Sequence, residues 1–131
     1  MTDRQNISSN SPYEPIFGYS RAVRVGDQVF VAGTVAWGDD GEIVGIGDMY
    51  TQAKQTLRNI ERALAAAGAT MADVVRTRMF MTDVSRWSEV AKAHGEVFGE
   101  IRPAATGIEI KALVQPEFLV EIEVDAVIGT R

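Results

Sequence analysis

Apolar and polar residues alternate along 119–127. Val120, Ile122, Val124 and Ala126 point one way, and Glu121, Glu123 and Asp125 point the other. Successive side chains of a strand leave opposite faces, so this pattern predicts a strand with one buried and one open side. Residues 74–82 predict another strand, with Val75, Thr77, Met79 and Met81 on one face and Val74, Arg76, Arg78 and Phe80 on the other. Residues 19–25 and a run from Val29 predict a hairpin joined at Gly26-Asp27. A strand is predicted over 105–111, around Ile108 and Ile110. The turn Gly38-Asp39-Asp40-Gly41 precedes a short extra strand over 42–46.

The period changes between these segments. Met49, Ala53, Leu57, Ile60, Leu64 and Ala67 recur at spacings of 4, 4, 3, 4 and 3, one face of an α-helix. Asp48 is its predicted N-cap and Gly68 its C-terminal stop. A second helix is predicted over 86–98, capped by Ser85 or Asp83 and ended by Gly99 and Pro103. Trp87, Val90, Ala91, His94 and Phe98 form its expected inner face.

The predicted fold class is therefore α+β: a mixed sheet with two helices packed on one face. Residues 1–16 are polar and turn-rich and read as a loose N-terminal arm, and 17–131 read as a single domain. The uncovered sheet face would carry Arg76, Arg78, Glu121, Glu123 and Asp125. It is either a solvated face with cross-strand ion pairs or a surface where copies of the chain meet.

Composition narrows the chemistry. The 131 residues include no cysteine, which excludes disulfides, thiolate catalysis and Cys-ligated zinc. One histidine makes a zinc site or a histidine-pair nuclease a poor fit, and Ser20 and Thr106 have no evident base for a hydrolase triad. The formal charge of −5 disfavours nucleic acid as partner. No apolar run reaches the roughly 20 residues that span a bilayer, and the first residues lack a signal-peptide pattern, so a cytoplasmic location and no membrane partner are expected.

Several blocks then combine in order. Gly18-Tyr19-Ser20-Arg21-Ala22-Val23 is followed by Gly26-Asp27-Gln28-Val29-Phe30-Val31-Ala32-Gly33. Ala65-Ala66-Ala67-Gly68-Ala69 leads to Asp73-Val74-Val75-Arg76-Thr77. Phe80-Met81-Thr82-Asp83 and Phe98-Gly99-Glu100 come next. The last are Arg102-Pro103-Ala104-Ala105-Thr106 and Val120-Glu121-Ile122-Glu123. Together they resemble the reactive-intermediate-deaminase (Rid, or YjgF) family over residues 17–127. The resemblance implies a chorismate-mutase-like fold, a homotrimer, and a small-molecule ligand in a cleft between subunits. It also implies hydrolysis of an imine or enamine to a carbonyl compound and ammonia, with no metal or organic cofactor.

Carried over by position, Glu121 matches the carboxylate linked to water activation, Tyr19 the pocket tyrosine, and Gly33 a backbone position near the ligand. The family pattern places an arginine after Pro-Ala, and this chain has Ala105 there. A guanidinium grips a carboxylate bidentately, which a methyl group cannot do. Loss of such a contact, about 1.5–3 kcal/mol, lowers transition-state binding by on the order of 10- to 100-fold. Gly107 replaces a larger residue, and Gly18 a proline. The expectation is a smaller-walled, less cationic cleft lined by Tyr19, Gly33, Ala105, Thr106 and Gly107, open to a bulkier or neutral ligand. Arg102 is a candidate substitute cation, and Glu121, with no arginine nearby, would have a raised pKa if buried. Three functions follow: a deaminase of altered substrate range, a non-catalytic metabolite-binding trimer, and the endoribonuclease or translation inhibitor of older family labels, which the acidic charge disfavours.

Overall fold

The computed structural model describes residues 3–129. Among them the elements run β1 (Arg4–Ile7), α1 (Tyr13–Phe17), β2 (Ala22–Val25), β3 (Gln28–Thr34), α2 (Met49–Ala66), β4 (Val74–Met81), α3 (Trp87–Phe98), β5 (Ala104–Glu109) and β6 (Val120–Val127). The strands form one sheet in the order β1-β2-β3-β6-β4-β5. β4 and β5 pair in parallel, and all other neighbours are antiparallel. A parallel pair needs a crossover, and α3 supplies it.

The alternation of β6 translates directly into burial. Val120, Ile122, Val124 and Ala126 are buried, and the acidic residues between them are half-buried. β6 inserts between β3 and β4, so its apolar row lies in mid-sheet. That row shares a core with Val29 and Val31 of β3 and with Ala53, Leu57, Ile60 and Leu64 of α2. α2 and α3 lie together on this face, as the helical periodicity predicts. Asp48 Oδ1 accepts from Thr51 N at 3.0 Å and starts α2. At its end Gly68 takes φ +86°, and Ala69 N donates back to Leu64 O at 2.8 Å. Only glycine adopts that left-handed turn without Cβ strain.

Gln52 of α2 is fully buried and ties the helix to the approach of β6. Its Oε1 accepts from Leu119 N at 2.9 Å and its Nε2 donates to Glu117 O at 2.8 Å. This clamp fixes the height at which Glu121 enters the sheet.

The structure departs from the sequence pattern in four places. The N-terminal segment is not a loose arm: β1 pairs with β2, Arg4 opposite Val25 and Ile7 opposite Ala22, and α1 follows. Residues 42–46 form no strand, and Trp37–Ile43 is an isolated bridge. The register of β4 on β6 shifts between Val74 and Arg76, so Val74 is buried with Thr77 and Met81 while Val75 is exposed. A bulge inserts one residue and reverses the face of those before it. In α3 the buried residues are Val90, Ala93 and Phe98, whereas Trp87 is 60% exposed and Ala91 is also exposed.

Candidate functional site

The open face of the sheet gathers a compact polar cluster where β2, β3 and β6 meet. Gly33 lies at the register shift of β3 on β6, between Val31 and Thr34. Glu121 sits directly above it: a Cβ built on Gly33 would stand 2.2 Å from Glu121 Oε2 and 2.8 Å from its Cδ. The missing side chain is therefore the seat of the carboxylate. Arg21, just before β2, donates from Nη2 to Gly33 O. Its guanidinium carbon lies 5.8 Å from the centroid of the Tyr19 ring. Arg21 Nε is buried and has no hydrogen-bond partner. Behind this group Glu14 is 8% exposed and accepts from Ser9 N and Ser9 Oγ at 2.9 and 2.7 Å. Burial pushes the Glu14 carboxyl up, but these bonds outweigh it and hold it below its ordinary value.

Burial also raises the Glu121 pKa. Arg21 opposes the shift, and Glu123 adds to it by like-charge repulsion. Burial lowers the Arg21 pKa, against the attraction of Tyr19, Glu14 and Glu121, yet a guanidinium remains charged at neutral pH. The expectation that Glu121 has no arginine nearby is thus corrected, although the rise in its pKa stands. Sequence reading placed Arg21 inside a motif without giving it a role. The available signal was its spacing of two from Tyr19, which puts both on one side of an extended segment. Further along the same face Phe80 stands opposite Glu121, and Arg78 Nη1 reaches Glu123 Oε1 at 3.4 Å and Asp125 Oδ2 at 3.3 Å.

The remaining predicted residues lie elsewhere in the chain. In the β4–β5 register Ala105 faces Thr77, Thr106 faces Arg78, and Gly107 faces Met79. Paired residues share a face, so Ala105 and Gly107 lie on the helix side and Thr106 on the open side. Every residue of β5 is exposed, and Glu109 is its only charge. Gly107 borders an apolar groove of about 310 Å³ between β5 and α3, lined also by Met79, Val84, Trp87 and Ala91. Arg102 takes φ +54°, the backbone turn after α3, and its Nε donates to Gly99 O at 3.1 Å. A single chain therefore brings Tyr19, Arg21, Gly33 and Glu121 together, and holds Ala105, Thr106 and Gly107 two strands away from β6.

His94 packs as expected, with its ring 4.7 Å from that of Phe98, and its Nε2 lies 2.9 Å from Thr77 Oγ1. Trp37 packs edge-on to Phe118 at 5.1 Å. Among the described residues no group of three or more His, Asp or Glu could hold a metal ion, and no helix is long and apolar enough to cross a membrane.

Residues 9–128 match the family described as Endoribonuclease L-PSP. The chain belongs to this family. The same family carries the names YjgF, Rid and RutC among similar proteins. A Mycobacterium tuberculosis member of the YjgF family is 50% identical, with TM-score 0.87 over 96% of this chain and 100% of that one. A Rid-family protein of unknown function from Yersinia pestis is 30% identical, with TM-score 0.83 over 96% of this chain and 100% of that one. A RutC family protein of Pyrococcus abyssi is 36% identical over 92% of this chain and 94% of its own length. These matches span the sheet from α1 to β6, so the L-PSP fold accounts for the whole arrangement that seats Glu121.

Proposed function

We propose that this L-PSP family chain is a cytoplasmic Rid-type deaminase that hydrolyses an imine or enamine intermediate, with a substrate range altered by Ala105. One observation carries the reading: a half-buried carboxylate of raised pKa, Glu121, held over the bare backbone of Gly33. A carboxylate so placed can take a proton from water while the water oxygen adds to the carbon of the protonated C=N group, whose π electrons pass to nitrogen and leave it a neutral amine. The same proton then passes to that nitrogen. The C–N bond breaks as the hydroxyl proton returns to the carboxylate, and a carbonyl compound and ammonia leave. A raised pKa makes the base stronger and the returning acid more effective near neutral pH.

The split of the predicted residues between two places supports a cleft formed by two copies, one giving Tyr19, Gly33 and Glu121 and the other Ala105, Thr106 and Gly107. A homotrimer provides three such clefts. Two exposed apolar residues, Phe30 at 44% and Ile108 at 46%, are consistent with surface that a neighbouring copy covers.

The test adds the purified protein to an amino-acid oxidase reaction and follows the trapping of free imine by semicarbazide. Faster imine loss, abolished by Glu121→Gln, is the expected result. No acceleration by the wild type or by Ala105→Arg, together with binding of small acids, would replace the deaminase by a metabolite-binding trimer.

A further inference from the structure

Ala105 removes the cation of β5, and no other side chain of that strand is positively charged. Among the other described arginines in or beside the sheet, Arg76 of β4 is exposed to solvent, and the rest have polar partners of their own. Arg24 donates to Gly26 O and Ala67 O, Arg78 meets Glu123 and Asp125, and Arg102 donates to Gly99 O. Arg21 differs. It is half-buried, its guanidinium makes one hydrogen bond to Gly33 O, and its Nε is sealed from water without a partner. No ion pair within 4.0 Å involves it among the described residues. Glu14 and Glu121 attract it from farther away, and Glu14 is engaged by Ser9. A desolvated cation with spare donors and no carboxylate in contact is electrostatically unfinished. An incoming anion would complete it.

We propose that Arg21 is the carboxylate anchor of this cleft, a cation relocated from β5 to the start of β2, and that the ligand is consequently a small monocarboxylate. The inference rests on the reading of the Glu121 cluster as the ligand site. It replaces the neutral ligand that Ala105 suggests with an anionic one bound the other way round, its charge toward Tyr19 and Arg21 and its body toward β5. The Arg21 guanidinium lies 5.8 Å from the Tyr19 ring centroid, and its planar fork favours paired N–H contacts to a carboxylate over a point-charge contact. Gly33 contributes no side chain beside the Arg21 contact, and the nearest atoms to where its Cβ would stand are those of Glu121.

The experiment titrates the isotopically labelled, fully assembled protein with butyrate and with butyramide, which share a shape and differ in charge, and follows backbone amide shifts. The proposal expects butyrate to bind at least about ten-fold more tightly, a difference of about 1.4 kcal/mol, with the largest shifts at Tyr19, Arg21, Gly33 and Thr34. Arg21→Gln should abolish the preference, and Arg21→Lys should keep part of it. Equal affinity for the two probes in the wild type overturns the proposal without any variant, as does undetectable butyrate binding. Unchanged butyrate affinity in a folded Arg21→Gln protein also overturns it. Failure here is distinct from failure of the deaminase reading. Butyrate selectivity without imine hydrolysis removes only the enzyme, and hydrolysis that needs Glu121 with no butyrate preference removes only the anchor.

Discussion

Gly33→Ala separates the seat of the carboxylate from the stability of the fold. The new methyl carbon would stand 2.2 Å from Glu121 Oε2, against 3.4 Å for ordinary contact, so the carboxylate must retreat by about 1.2 Å. Gly33 has no left-handed φ, so alanine fits its backbone. Alanine in a strand gains about 0.5–1 kcal/mol over glycine, which offsets much of the cost of moving a flexible side-chain end. The melting temperature should stay within about 4 °C of wild type. Function should respond quite differently, because a misplacement of about 1 Å at a reacting group can cost on the order of 100-fold in rate. The assay pairs a thermal melt with kcat/KM for imine hydrolysis and with an NMR titration of the Glu121 carboxyl. The titration is expected to move back toward the ordinary value as the displaced carboxylate regains water. A Gly33→Ala protein with wild-type rate and a Glu121 pKa still raised would refute the reasoning, as would a melt lowered by 10 °C or more.

Other outcomes follow from the same geometry. The folded-state pKa of Glu121 is raised above 4.5, so its desolvation cost is absent at low pH and grows as pH rises through the raised value. Glu121→Gln should therefore melt above wild type at pH 8 and level with it at pH 4 in a pH series of thermal melts. Burial lowers the His94 pKa below 6.5, so the folded chain holds it neutral and loses stability as pH falls beneath 6.5. His94→Phe should remove that dependence in urea titrations at pH 5 and 7. It should also cost about 1–3 kcal/mol at pH 7, because Thr77, fully buried, loses its partner, and less at pH 5, where wild type is itself weakened. Asp73 is 1% exposed and accepts from Thr70 N at 2.9 Å and Gly129 N at 3.0 Å. Asp73→Ala should destabilise by about 2–4 kcal/mol by urea titration, since two backbone donors lose their acceptor.

Elements whose side chains meet a core were legible from the chain. The 3–4 spacing of α2 and the strict alternation of β6 survive in the structure residue by residue, because burial acts on each side chain separately. β1 was hidden because an edge strand held by backbone bonds needs no apolar alternation, and three of its four residues are exposed. The β4 bulge was hidden because Val74 and Val75 are the same residue type and either could have faced inward. Trp87 reads as an inward residue because it lies three residues before Val90, but it is the first residue of α3 and stands 60% exposed at the β5–α3 groove. Within the site, Glu121 and Gly33 could be named in sequence but not joined. Their contact runs between strands far apart in the chain, and Arg21 gains its place only when β2, β3 and β6 assemble.

The exposure of β5 has a bearing on how such a chain diversifies. β5 pairs along one side only and buries no side chain in the core, so a larger residue at position 105 displaces nothing in the core, whereas a Cβ at Gly107 would meet Met81 Cε at 3.0 Å. Ala105 stands on a strand whose side chains a single chain leaves exposed, while Glu121 stands on the strand that the whole domain is built around. A change at position 105 therefore leaves the sheet intact, whereas a change at position 121 falls on the strand against which β3, β4 and α2 all pack.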